Sequence, residues 1–98
     1  MNTTLKIAEF ITAGKPPAEA RQRAATALCD TVGVILAGAP EAAANIIRGT
    51  VVEESKGNCR VLGTAERASG SDAAFANGVA AHAHDYDDMC FVSLAHPS

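Results

Sequence analysis

An apolar stripe at helical spacing runs through the first third of the chain and determines how that part folds. Its members recur every three or four residues over about four turns, whereas a strand would place every second residue on one face. Gly38 and Pro40 end the pattern. We therefore predict a helix from about Pro17 to Gly38, with Glu19 in the first turn, where the helix dipole favours an anion. The stripe comprises Ala20, Ala24, Ala27, Leu28, Thr31, Val32 and Ile35.

The residues before this stripe predict a shorter first helix. Thr3 or Thr4 can cap its start, and Gly14 ends it. Pro16 and Pro17 forbid its continuation, because proline lacks the backbone N–H and its ring clashes with the preceding turn. One face of this helix is apolar and carries Ile7, Phe10 and Ile11.

Two more helices are predicted, separated by a short connection. The third covers residues 41–54, and the β-branched residues at 50–52 weaken its final turn. Residues 59–62 fit a short extended piece between turn residues. Ser69 or Ser71 then caps an alanine-rich fourth helix.

Composition agrees with a helical fold and excludes several classes of function. Hydrophobic residues make up 48% of the chain, with no Trp, one Tyr and three Phe, which favours closely packed helices over an aromatic-rich sandwich. The formal charge is −3 with no basic stripe, so no nucleic-acid partner is expected. The longest apolar run, residues 32–39, is too short to cross a bilayer, so no membrane partner is expected. We predict one all-α domain over residues 1–98, with about four helices and one short irregular or extended connection.

Cysteine usage and the first residues predict the cellular setting. Cys29, Cys59 and Cys90 are odd in number and form no CxxC pair. Reduced thiols, and therefore a cytoplasmic location, are expected. Residues 1–15 lack the basic leader and apolar stretch of a signal peptide.

The residues suited to proton transfer are concentrated in residues 82–98. This stretch holds all three histidines of the chain and three aspartates. A carboxylate can orient an imidazole, and an imidazole can carry a proton near neutral pH. If the fourth helix continued through the stretch, His82, Asp85 and Tyr86 would share a face. The side chains pointing elsewhere would be His84, Asp87 and Asp88.

Three interpretations of this stretch remain open from spacing alone. In the first, Asp85 at the helix end and His96, which precedes a proline and so favours an extended loop, face one pocket. The second is a metal site, which the helix disfavours because positions two apart diverge by about 200°; we expect no metal. The third is a solvated helix end, although aspartates there oppose the helix dipole.

The run from Phe75 to Asp88, followed by His96-Pro97-Ser98, resembles the signature of the MmgE/PrpD family. That signature reads approximately Ala-Asn-Gly, two or three small residues, His, two residues, Asp, an aromatic residue, Asp-Asp, and then His-Pro-Ser. Residues 28–38 are also similar to the second helix of the family. The resemblance covers essentially the whole chain, and its several parts in fixed order are more specific than one short motif.

The resemblance implies a fold and an activity. The fold would be the amino-terminal part of a large helical domain, without the α/β lid domain that follows it in the family, in a protein that forms a homodimer. Members include 2-methylcitrate dehydratase, cis-aconitate decarboxylase and iminodisuccinate epimerase. They move protons beside a carboxylate without a cofactor, which implies a lyase for small di- or tricarboxylates. By the motif match, Asp85 and His96 fall on catalytic positions, and His82 and Asp88 on positions that bind substrate or shape the pocket.

The charges of this stretch predict that it does not act alone. Residues 82–98 contain three aspartates and no Lys or Arg, so like charges would repel a polycarboxylate. We expect the substrate-clamping cations to come from outside this chain and the 98-residue chain to be inactive by itself. The alternative is a truncated, non-catalytic helical module that acts through protein–protein association, using apolar faces of the first three helices.

Overall fold

Helices dominate the computed structural model of the protein, which describes residues 2–97. Its helices are α1 (Thr3–Ala13), α2 (Ala18–Gly38), α3 (Ala42–Ile47) and α4 (Gly70–His82). A π-helical turn, Arg48–Val52, directly follows α3. Two short strands, β1 (Cys59–Arg60) and β2 (Arg67–Ala68), pair antiparallel with Cys59 opposite Ala68. Because 58% of the chain is helical and the sheet is this small, the predicted all-α class is confirmed.

The helix starts follow their sequence signals with one exception. Asn2 caps α1, since the backbone N–H of Thr4 donates to Asn2 Oδ1 at 2.9 Å. The prediction of Thr3 or Thr4 as the cap was wrong, because both residues already lie within the helix. Ser69 caps α4 by accepting from the N–H of Asp72 at 3.2 Å, which selects one of the two predicted serines.

The third predicted helix changes its geometry partway. α3 begins at Ala42, and the chain continues as a π-helical turn instead of a regular α-helix. The hydroxyl of Thr50 donates to the carbonyl of Ile46 at 2.9 Å, a bond back to the preceding turn that disturbs helix geometry. The weak final turn predicted from the β-branched residues is therefore seen as this π-helical turn.

The core consists of small side chains gathered around α4. One buried cluster comprises Val52, Val61, Ala68, Ala73 and Ala76, and a second comprises Ile35, Ala44, Ala80 and Ala81. Because alanines fill both clusters, the helix backbones must approach closely for the core to contain no voids. Helix α4 contributes to both clusters and so connects the hairpin with α2 and α3.

Gly38 permits the closest of these approaches. A Cβ at this position would lie 1.9 Å from the carbonyl oxygen of Ala80 and 3.1 Å from the Cβ of Ala83. The carboxyl end of α2 is thereby held against the carboxyl end of α4. Gly33 on the same helix faces open space, and a Cβ at that position would meet nothing within 4 Å.

The amino-terminal part of the fold is exposed. No residue of α1 is buried across Thr3–Ala13, and Phe10 is 76% exposed. Leu28 on α2 is 67% exposed. The radius of gyration is 15.7 Å, compared with about 13 Å for a typical domain of this length. Apolar side chains of α1 and α2 are therefore exposed on the surface.

A helix that crosses a membrane must be both long and apolar. Within residues 2–97, no single helix is both long and apolar enough to cross a membrane. The segments Ala18–Gly38 and Ala42–Val52 meet the length and composition criterion only as a pair, and they are bent by 83° relative to each other.

Candidate functional site

The site begins where α4 ends, at His82. The helix does not continue through the following string, so the predicted shared face of His82, Asp85 and Tyr86 was wrong. The N–H of Asp85 donates to the carbonyl of His82 at 3.0 Å, and Asp85 has a φ of 55°. Aspartate is one of the few residues other than glycine that adopts this left-handed conformation readily. The resulting turn redirects the residues after it.

A tight loop then brings the chain back to the helix end. Cys90 and Ala95 form an isolated antiparallel bridge, with the N–H of Cys90 donating to the carbonyl of Ala95 at 2.8 Å. Leu94 within the loop has a φ of 52°. His96 follows the bridge and lies outside any helix or strand, as expected for a residue before proline. Ser98, the last residue of the motif, lies outside the described residues.

The turn and the loop together assemble a cluster of four titratable side chains. Each contributes an oxygen or nitrogen, and these atoms all lie within 4.8 Å of one another. Asp85 and His96, predicted to share a pocket, are both members. The cluster comprises His82, Asp85, Asp87 and His96.

Asp87 lies between the two imidazoles of the cluster. Its Oδ1 is 3.0 Å from Nδ1 of His82, and its Oδ2 is 3.1 Å from Nδ1 of His96. The two imidazole rings meet edge to face, with centroids 4.6 Å apart. Asp85 is more distant, with its Oδ1 3.7 Å from Nδ1 of His82. The expectation that Asp87 points away from His82 was wrong, because it assumed a continuing helix.

Burial and charge set the protonation of this group. The Asp87 side chain is only 6% exposed. Burial raises its pKa, but the hydrogen bond with His82, a backbone hydrogen bond and the two nearby imidazoles together lower the pKa below its ordinary value. The hydrogen bond with Asp87 raises the pKa of His82, as do the charges of Asp87 and, more weakly, Asp85. Both shifts favour an ionised carboxylate beside a protonated imidazole.

The remaining polar residues of the motif lie to either side of the cluster. His84 Nε2 is 3.4 Å from a carboxylate oxygen of Glu41, and its ring stacks on Tyr86 with centroids 5.4 Å apart. His84 thus faces the junction between α2 and α3. Asp88 is exposed, and its role in substrate binding remains a prediction.

Asn77 of the Ala-Asn-Gly motif has a structural task that sequence reasoning missed. Its Oδ1 accepts from the N–H of Leu62 at 2.9 Å, and its Nδ2 donates to the carbonyl of Arg60 at 3.1 Å. A single amide side chain thereby satisfies two backbone groups of the hairpin segment. This pair of bonds fixes α4 relative to the hairpin. An asparagine in mid-helix was the available signal, since it is a poor helix former.

An apolar groove of about 590 Å³ lies beside the cluster, between α3 and α4. Ala43, Phe75 and Val79 line it, and His82 closes one end. Its apolar lining suits hydrocarbon side chains and would not solvate the carboxylates of a small anion.

The four clustered side chains are also chemically suited to hold a divalent metal ion. The contacts among these side chains favour hydrogen bonding within the cluster over metal binding. Both Nδ1 atoms already lie at hydrogen-bond distance from the carboxylate of Asp87, and a metal at those nitrogens would displace their protons. The absence of a metal requirement remains a prediction.

The sequence of the chain matches one known protein family. A family model described as the MmgE/PrpD N-terminal domain matches residues 5–98. The chain therefore belongs to the MmgE/PrpD family, and it carries that family's amino-terminal domain. No curated protein and no solved structure gives a significant match to the chain.

Proposed function

We propose that this domain forms one wall of the active site of a cofactor-independent lyase or isomerase acting on small di- or tricarboxylates. The observation that carries the proposal is the convergence of two imidazoles and two carboxylates at the end of α4. Family membership supports the reaction class, because the shared chemistry of the family is proton transfer beside a carboxylate.

His96 is proposed as the acid/base group. Such a reaction breaks a C–H bond next to a carboxylate and delivers a proton to the leaving group, or returns it to the other face of the same carbon. Imidazole is the side chain most often used for such proton transfers. With Nδ1 of His96 next to Asp87, Nε2 is the nitrogen left to exchange a proton with substrate.

Asp85 is proposed to bind a substrate hydroxyl or to orient an imidazole. Its side chain is 79% exposed at the edge of the cluster, so a ligand can reach it. His82 and Asp88 are proposed to shape the pocket and bind substrate.

The substrate's negative charge must be balanced by other residues. The stretch that holds the cluster has no Lys or Arg, and carboxylates repel a polycarboxylate. We propose that cationic residues from another domain or subunit complete the pocket, as in a homodimer with a lid. The same argument leads us to propose that residues 1–98 alone lack activity.

The proposal is tested by an intact-mass measurement of the purified protein, combined with assays on 2-methylcitrate, cis-aconitate and iminodisuccinate without added metal. A chain longer than these 98 residues that turns over one of the three would support the proposal. A longer chain with a lid domain that turns over no polycarboxylate would contradict it.

A second candidate function is association with another protein, without catalysis. The exposed apolar side chains Phe10, Ile11 and Leu28 favour it, because apolar patches on a surface mark contact sites. Analytical ultracentrifugation of the protein and of Phe10→Ser separates the two candidates. Association lost in Phe10→Ser, in a protein with no turnover, would support the second function and count against the first.

A further inference from the structure

We propose that Asp87 is a positioning residue that holds His82 and His96 in the same tautomer, with Nδ1 protonated and Nε2 presented outward. The role of Asp87 in catalysis rests on the proposed function, whereas the tautomers of the two histidines do not depend on it. Asp87 was not among the residues that the motif match assigns to catalysis or binding.

The contact of Asp87 with His82 is a hydrogen bond and its contact with His96 is an ion-pair contact, and both favour this tautomer. An ionised carboxylate only accepts hydrogen bonds, so each nitrogen facing it must carry a proton. Oδ1 of Asp87 is 3.0 Å from Nδ1 of His82, and Oδ2 is 3.1 Å from Nδ1 of His96. One carboxylate therefore fixes two rings at once, and the lone pair of each neutral ring lies on Nε2.

Burial distinguishes Asp87 from Asp85. The Asp87 side chain is 6% exposed, whereas Asp85 is 79% exposed and lies 3.7 Å from His82. A carboxylate withdrawn from water must keep its hydrogen-bond partners, since losing one leaves a buried charge partly unsatisfied. The Asp87 carboxylate thus faces both imidazoles, whereas the exposed carboxylate of Asp85 is accessible to a substrate.

The consequence for catalysis is coupling between the two rings. When His96 takes a proton at Nε2, the resulting imidazolium is stabilised by the carboxylate at its Nδ1. His82 shares that carboxylate, so its own protonation lowers the stabilisation available to His96. The three side chains then act as one proton-handling unit, in which His82 adjusts His96 through Asp87.

The tautomers are measured directly by long-range ¹H–¹⁵N correlation spectra of the full-length protein labelled with ¹⁵N-histidine. Signals of the two rings are assigned with His82→Gln and His96→Gln. Above the titration range, both rings should show a protonated Nδ1 and an unprotonated Nε2. A protonated Nε2 in either neutral ring would overturn the proposal, whether or not the protein has activity.

Asp87→Asn sharpens this test. An amide offers one acceptor oxygen and one donor NH₂, so it supports the protonated Nδ1 of one ring and favours the opposite form in the other. We expect one histidine to change tautomer in Asp87→Asn. The matched control is Asp30→Asn, which removes an equal charge from an exposed position on α2 and should change neither ring. Unchanged tautomers in Asp87→Asn would refute the positioning role.

Turnover provides a separate readout. In the full-length enzyme, Asp87→Asn should lower kcat by about 10²–10⁴-fold with a smaller change in KM, because Asp87 does not contact substrate. A change confined to KM would contradict the positioning role. Absence of turnover in the unmodified protein, together with the expected tautomers, would reject the proposed function and leave this inference intact.

Discussion

The two ends of α4 each carry an aspartate network, and they differ in what the network does for the fold. At the amino end, Asp72 accepts hydrogen bonds from the hydroxyls of Ser55 at 2.5 Å and Ser69 at 2.8 Å. At the carboxyl end, Asp87 lies between two imidazoles. The first network is built from serine hydroxyls, and the second includes two imidazoles, the side chains most often used for proton transfer.

The helix dipole distinguishes the two ends further. A carboxylate is favoured at the amino end of a helix and disfavoured just beyond the carboxyl end. Asp72 therefore lies where folding favours it, whereas the three aspartates after His82 lie where folding opposes them. Its contribution to stability alone explains why Asp72 lies at the amino end of α4. Residues that lower stability locally are most often found where function requires them, which is the strongest physical argument that the carboxyl end is the site.

The largest expected effect is on turnover, at the carboxyl end only. Under the proposed function, His96→Gln should lower kcat by about 10²–10⁴-fold, because it removes the proposed acid/base group. Asp85→Asn, which preserves a residue tolerant of left-handed backbone, should also lower turnover substantially. Steady-state kinetics of both variants, beside Asp72→Asn at the other end, provide the measurement. Near-native turnover in His96→Gln would remove its assigned role.

The next largest effect concerns how the carboxyl end is held in place. In Gly38→Ala the new methyl group would collide with the backbone at Ala80, so the free energy of unfolding should fall by about 1–3 kcal/mol. Gly33→Ala on the same helix meets nothing within 4 Å and should be neutral, or stabilising by up to about 1 kcal/mol. Urea titrations of both variants test this contrast. Equal stabilities would mean that α2 does not fix the end of α4.

Sequence reasoning located the elements well where a local signal exists. The apolar stripe predicted α2 to within a residue or so, and the serine before α4 predicted its cap. Strand β2 was not predicted, because two residues of antiparallel pairing depend on contacts with β1 and leave no periodic pattern. The π-helical turn could be anticipated only as a weak helix end.

The sequence predicted which residues belong to the candidate site better than it predicted how they are arranged. Asp85 and His96 were expected to share a pocket, and both belong to the cluster. The central position of Asp87 was missed, since it depends on where the helix ends. The signal was present in the clustered aspartates after His82, because aspartate favours turns over helix interiors, but how tightly the chain turns there is decided by tertiary contacts.

A smaller effect is expected at the amino end. Ser69→Ala removes the cap of α4 and one of the hydroxyls on Asp72, so the free energy of unfolding should fall by roughly 1 kcal/mol. Ser71→Ala is the matched control; Ser71 is exposed, and its change should stay within about 0.5 kcal/mol. Thermal and urea unfolding measure both. The imidazole tautomers at the other end should be identical in the two variants, and a change in them would mean that the ends are not independent.

The smallest effect is a dependence of stability on pH that separates the two ends. The pKa of His82 is raised above its ordinary value of 6.5, chiefly by its hydrogen bond with Asp87. Its contribution to stability is therefore complete below pH 6.5 and is lost as the pH rises through the elevated pKa. The pKa of Asp72 is lowered by its bonds to Ser55 and Ser69, so its contribution is present above pH 3.8 and does not change in the same range.

Urea titrations between about pH 6 and about pH 9 measure this difference. The stability advantage of the unmodified protein over His82→Gln should shrink as the pH rises, whereas its advantage over Asp72→Asn should stay constant. Since the His82 side chain is 56% exposed, water and salt screen the interaction and the slope should be shallow. A constant advantage over His82→Gln would show that Asp87 does not stabilise the protonated ring, and the two ends of α4 would then be alike in their response to pH.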